Sequence, residues 1–221
     1  MSSGPGQRFS LIRREIKASR GGSDATRRSE SAATRQGFLT IGPKKRPTRE
    51  GYYGPPKCPV GTMFASRKEC SEAGVHFPLV AGISGSTSST RRDANPGAFS
   101  IVLNGGYEDD VDDGNTILYT GAGGQTNTFS KTNSQVENQD IKHHFNHALR
   151  LNLYSGNPVR VVRGFKSESR WAPSEGYRYD GLYKVAGAKI KLGKSGHQVC
   201  LFRLERLPDQ QPLEELQSHL P

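Results

Sequence analysis

The densest chemistry in the chain lies in ten consecutive residues. Gly105-Gly106-Tyr107-Glu108-Asp109-Asp110-Val111-Asp112-Asp113-Gly114 sets five carboxylates and one aromatic ring between glycines. Clustered carboxylates bind cations, activate water or accept hydrogen bonds, and each use makes its own demand on spacing. A calcium loop needs D-x-[DN]-x-[DN]-G with a glutamate at its twelfth position. Counting back from Gly114, the third position is Val111 and the twelfth is Thr120, so that use is excluded. A Mg²⁺-dependent nuclease needs two carboxylates on the metal and a lysine beside the attacking water. Asp110 with Asp140-Ile141-Lys142 has those residue types, but this D-x-K falls in a stretch of helical period instead of on a strand. His143 and His147 have the spacing of a zinc-protease helix, yet His144 stands where the glutamate base would be. Gly121-Ala122-Gly123-Gly124 has the texture of a phosphate cradle, and no Lys-Ser or Lys-Thr follows it.

Charge names a class of partner. The 221 residues carry 31 Lys and Arg against 21 Asp and Glu, a formal charge of +10, and a chain this basic invites a polyanion. The excess is uneven. Residues 1–50 hold 12 basic and 4 acidic side chains, whereas residues 51–159 hold 8 and 10 and residues 160–206 hold 11 and 4. A domain spanning 51–206 therefore pairs a basic half, expected to face DNA, with the acidic run. No stretch of about 18 apolar residues is present for a membrane helix, and the N-terminus lacks an apolar core of signal-peptide length. Cys58, Cys70 and Cys200 form an odd set without paired spacing. They fit a reducing compartment, and they are too few for a binuclear zinc module of about eight ligands.

The elements that must position these groups follow from period and punctuation. Residues 1–50 read as a disordered basic tail, because scattered apolar residues cannot offset chain entropy. Lys44-Lys45-Arg46 within it fits a nuclear-import patch or a phosphate-contacting arm. From Gly51, short β-rich runs follow at Val75–Ile83, Ala98–Leu103, Thr116–Tyr119, Val159–Phe165, Tyr183–Ala188 and Val199–Leu204, separated by Gly and Pro. That spacing predicts a barrel or sandwich, not a parallel sheet. Gln139–Leu151 is helical in period, with Ile141, Phe145, Ala148 and Leu149 on one face and Lys142, His143, Asn146 and Arg150 on the others. Residues 207–221 read as an acidic C-terminal tail with one short helix near Leu213–Leu220.

Taken in order, five blocks resemble the SRA (SET- and RING-associated), or YDG, domain family. They are Gly74-Val75-His76-Phe77-Pro78-Leu79-Val80-Ala81-Gly82-Ile83, Ser100 through Asp112, Leu118-Tyr119-Thr120-Gly121-Ala122-Gly123-Gly124, Pro158-Val159-Arg160-Val161-Val162-Arg163, and Arg178-Tyr179-Asp180-Gly181-Leu182-Tyr183-Lys184-Val185. The resemblance covers about 51–206. It implies an α+β fold, a twisted and mostly antiparallel β-barrel flanked by a few α-helices. It also implies a nuclear, non-catalytic reader that flips 5-methylcytosine out of double-stranded DNA, needs no cofactor or membrane, and serves chromatin proteins in trans.

By that resemblance Tyr107 and Tyr119 stack on the extruded base, and Asp110 accepts from the cytosine amino group. Thr120 contributes an amide or hydroxyl, Gly105 and Gly106 let the backbone approach, and Asn104 walls the methyl niche. Val80 enters the gap left in the duplex. A second loop, at Ser130-Lys131-Thr132, stands where hemimethyl-selective relatives carry Asn-Lys-Arg. Without that arginine, which is worth about 1–3 kcal/mol of guanine discrimination, a weaker preference for hemimethylated CpG is expected.

Overall fold

The computed structural model describes residues 53–88, 95–125 and 135–217. The tail 1–50 and the Ser130-Lys131-Thr132 loop lie outside them. In chain order the elements are β1 (Met63–Phe64), α1 (Arg67–Glu72), β2 (Ile83–Ser86), β3 (Gly97–Leu103), β4 (Val111–Asp112) and β5 (Thr116–Thr120). They continue as α2 (His144–Ser155), β6 (Val159–Gly164), β7 (Tyr177–Leu192), β8 (Gln198–Arg206) and α3 (Leu213–Gln217).

Two strands make the centre. All residues of β3 and of β6 are buried, and the pair runs parallel, from Ser100 opposite Arg160 to Leu103 opposite Arg163. Apolar runs without polar alternation suit a strand covered on both faces. The other pairings are antiparallel, and the order is β2-β3-β6-β7-β8-β5-β4, with β1 on β7. The expected barrel is not formed. The end strands have four and two residues, and no described residue pairs one with the other, so the sheet is mixed and open. The parallel pair escaped the strand-spacing rule because its crossover contains β4, β5 and α2, not a single helix.

Helix α2 covers this centre. Ala148 and Leu149 are buried against Ile101, Leu103, Val161 and Phe202, with Ile141 and Phe145 packed at the margin. Each such side chain is worth about 1.5–3 kcal/mol on full burial. The helix begins at His144, five residues later than its period predicts. Gln139 is drawn away to donate to Gly121 O (2.6 Å) and to accept from the Cys200 amide (2.9 Å). Asp140 Oδ1 then takes the Lys142 amide (2.8 Å), closing a turn. At the other end Gly156 adopts φ 71° and returns its N–H to Asn152 O, the left-handed cap that favours glycine. Asn146, expected on a polar face, is buried and holds both polar groups of Ala122.

The basic half also needs correction. Arg160, Arg163 and Arg178 are each at most 1% exposed, so three of the eleven basic residues of 160–206 serve the interior. Arg160 donates to Gly54 O and Gly74 O. Arg163 reaches Asp112 (2.6 and 2.8 Å), Asp180 (2.8 Å) and Gly114 O (2.9 Å). Arg178 reaches Asp180 (2.5 Å) and Trp171 O (2.7 Å). Beyond β8, Leu213 and Leu216 of α3 are buried with Trp171, so part of the acidic C-terminal stretch packs on the fold.

Candidate nucleobase pocket

The acidic run is not one feature but three. Asp109 turns to the β7–β8 hairpin, where both its oxygens face the Lys194 amide (3.2 Å each) and Lys191 Nζ lies at 3.3 Å. Asp112 turns to Arg163 and to the Ser169 hydroxyl (2.7 Å). Asp110, between them, turns to neither. It accepts from the Thr120 amide through Oδ1 (2.7 Å) and forms no ion pair among the described residues. Burial raises its pKa to about 7, with the Thr120 amide and hydroxyl pulling the other way. Burial also works to raise Asp112, but the Arg163 fork and Ser169 outweigh it and leave that pKa lowered.

Tyr107, Asp110 and Tyr119 are gathered, close enough for the acid to hold both phenols further from ionisation, on top of the effect of burial. Tyr107 OH accepts from the Gly123 amide (3.2 Å). Tyr119 is 3% exposed and lies opposite Phe202 in the β5–β8 ladder. Gly105, at φ +70°, packs so closely on the loop after β6 that a Cβ would stand 2.5 Å from Lys166 O. A Cβ on Gly106 would meet nothing within 4 Å, which leaves open space at that backbone.

Two expected residues are engaged differently. The Thr120 amide is committed to Asp110, and Asn104 Oδ1 accepts from the Lys166 amide (3.2 Å), directing that side chain toward the end of β6. Val80 is 51% exposed beside Leu79 at 58%, two apolar side chains presented together. Asp140 and Lys142 occupy the turn before α2, away from any contact with Asp110. Among the described residues no three His, Cys, Asp or Glu side chains are grouped to hold a metal.

Sequence reasoning missed Gly82. A Cβ there would lie 2.7 Å from the Tyr119 hydroxyl, so the loop carrying Val80 closes directly on Tyr119. The signal was a glycine immediately before a strand, which marks close backbone approach.

The SAD/SRA domain model matches residues 52–210. A UHRF1-like protein of Cryptococcus neoformans is 43% identical over 164 residues, covering 71% of this chain and 46% of the fungal one. Among solved structures, the modification-dependent TagI restriction endonuclease is 41% identical with a TM-score of 0.63, covering 71% of this chain and 53% of its own. The SUVH5 SRA domain, solved with methylated CHH DNA, is 32% identical with a TM-score of 0.58, covering 72% of this chain and 97% of its own. Other complexes of that domain hold fully methylated, hemimethylated and fully hydroxymethylated CG DNA. The chain spans about half the length of the fungal relative and of TagI. On the family match and these identities, the chain belongs to the SAD/SRA domain family.

Proposed function

We propose that this chain is a non-catalytic reader of 5-methylcytosine in double-stranded DNA, acting in the nucleus and passing its reading to chromatin proteins in trans. In this reading 51–206 is the reader, with the basic 1–50 segment as its general DNA contact. The observation that carries it is Asp110, a largely buried carboxylate that accepts from the Thr120 amide, has no cation partner among the described residues, and lies near Tyr107 and Tyr119. Extruding a base costs a few kcal/mol, and stacking on aromatic faces returns about 1–3 kcal/mol per base. Tyr107 and Tyr119 supply those faces. Cytosine presents an amino group where thymine presents an oxygen, and a carboxylate accepts from the first and repels the second. Thr120 aims the carboxylate through its amide. Gly106 lets the backbone come near the ring, and Asn104 contributes main chain at the niche, its side chain being held by Lys166. Val80 fills the vacated place in the duplex, and Ser130-Lys131-Thr132 meets the opposite strand with little base selectivity. Burying one methyl group is worth about 0.8 kcal/mol, about fourfold in affinity.

Anisotropy titrations of unmethylated, hemimethylated, fully methylated and non-CpG duplexes at fixed salt test this. Preference for the methylated duplexes, with hemimethylated and fully methylated CpG bound alike, is the expected result. Asp110→Ala removes the methyl preference, and a preference surviving that change rejects the pocket assignment. The likeness to TagI favours one second reading, a modification-dependent nuclease. Methylated plasmid remaining intact in Mg²⁺ removes it.

A further inference from the structure

We infer that Arg67 is the positioning residue of the duplex-inserting loop, holding Leu79 and Val80 at the angle needed to replace the extruded base; this rests on the base-flipping reading above. Arg67 opens α1, whose first turn is fixed by side-chain caps at both Ser66 and Glu69. Ser66 Oγ accepts from the Glu69 amide (3.3 Å) and Glu69 Oε2 accepts from the Ala65 amide (2.8 Å). From that anchored start Nη2 of Arg67 donates to Pro78 O (3.0 Å) and to Ala81 O, and stands 2.9 Å from His76 Nε2. The two carbonyls bracket Leu79 and Val80, so one guanidinium fixes both ends of the apolar tip.

His76 completes the clamp. Its Nε2 faces both Arg67 Nη2 (2.9 Å) and Ala81 O (3.0 Å), and its Nδ1 pairs with Ser100 Oγ (2.9 Å), tying the loop to β3. Burial and the Arg67 charge keep the ring neutral, with a pKa lowered to about 3. The guanidinium carbon also stands 5.9 Å from the centre of the Tyr177 ring. The result is an exposed apolar pair on a rigid base. An apolar side chain left in water is normally free to fold back, and a wedge works only if it cannot.

The test separates insertion from pocket binding by varying what stands opposite the methylcytosine in otherwise identical duplexes. A paired guanine makes extrusion costly, whereas an abasic site removes the pairing cost. With the full 221-residue chain, Arg67→Lys keeps the charge and loses the fork. It should weaken binding to the paired duplex about tenfold and to the abasic duplex by less than about threefold. Leu79→Ala/Val80→Ala, in which both exposed tips are removed and every clamp bond is kept, should give the same split with little change in melting temperature. Asp110→Ala should weaken both duplexes alike. Equal losses on the two duplexes for either loop variant, or no loss on the paired one, overturn the inference. If the wild-type chain shows no preference for methylcytosine, the base-flipping reading itself has failed, and the inference falls with it.

Discussion

Asp110 and Asp112 are two residues apart, both largely removed from water, and their environments are opposite. Asp112 meets a guanidinium, a serine hydroxyl and the Gly114 amide. Asp110 meets Thr120 and, among the described residues, no cation. The protein ionises the first at little cost and the second at considerable cost, since burial favours the neutral acid unless a cation or several donors intervene. A carboxylate satisfied from within is a structural part. One left short of donors has capacity for a ligand's. The acidic run is thus divided by partner, and its middle member is the one with room for the amino group that the proposed reading assigns to it.

The comparison can be broken most forcibly on its structural side. Asp180→Ala leaves Arg178 without a carboxylate in the interior and takes one of two from Arg163, and removal of one partner from a buried ion pair costs about 3–5 kcal/mol. Denaturant unfolding should show that loss, while a stable Asp180→Ala protein would mean the network matters little. On the ligand side, Asp110→Asn should leave folding intact and forfeit about 1–3 kcal/mol of cytosine-over-thymine discrimination, read as a ratio of dissociation constants for duplexes differing at that base. A retained ratio would show that cytosine is read elsewhere.

Acidity should separate the two aspartates without any substitution. A neutral carboxyl can donate to the thymine oxygen and an ionised one cannot, so discrimination should rise about tenfold between about pH 6 and pH 8. Folding raises the Asp110 pKa from 3.8 to about 7, so the ionised form works against the fold, and that penalty is absent below about pH 4, grows as pH climbs toward 7 and is complete above it. Asp112 has the reverse sign. Its pKa is lowered, so its contribution is present at neutral pH and is lost as pH falls into the acid range. Asp110→Asn should therefore raise the melting temperature by a few degrees above pH 7 and by nothing near pH 4. The smallest effect belongs to Asp109→Asn. Asn keeps an oxygen for the Lys194 amide and gives up only the charge facing Lys191, which is itself 42% exposed and solvent-screened, so only a slight drop in stability is expected.

Much of this was legible before any coordinates. The five blocks named the family, and the period of Ile141, Phe145, Ala148 and Leu149 found α2 and its buried face. What stayed hidden is partner choice. Nothing in Asp109-Asp110-Val111-Asp112 says which acid meets Lys194, which Thr120 and which Arg163, because each partner lies many residues away and is brought near by strand register. Arg160, Arg163 and Arg178 look like surface charge in a list of residues, and only tertiary placement shows them inside. Arg67 sits in a short polar stretch with no periodicity, and its role depends on carbonyls at residues 78 and 81, which carry no side-chain signature.

Trp171 is the one tryptophan of the chain, and the fold has placed it as a built-in optical probe. Its ring lies so close to Gly114 that a Cβ there would stand 2.6 Å away, its carbonyl holds Arg178, and Leu213 and Leu216 cover it. Indole emission therefore senses the acidic run, the arginine network and α3 at once. A chain cut at residue 210, where the family match ends, would lose that cover, and its emission should shift to the red before any DNA is added.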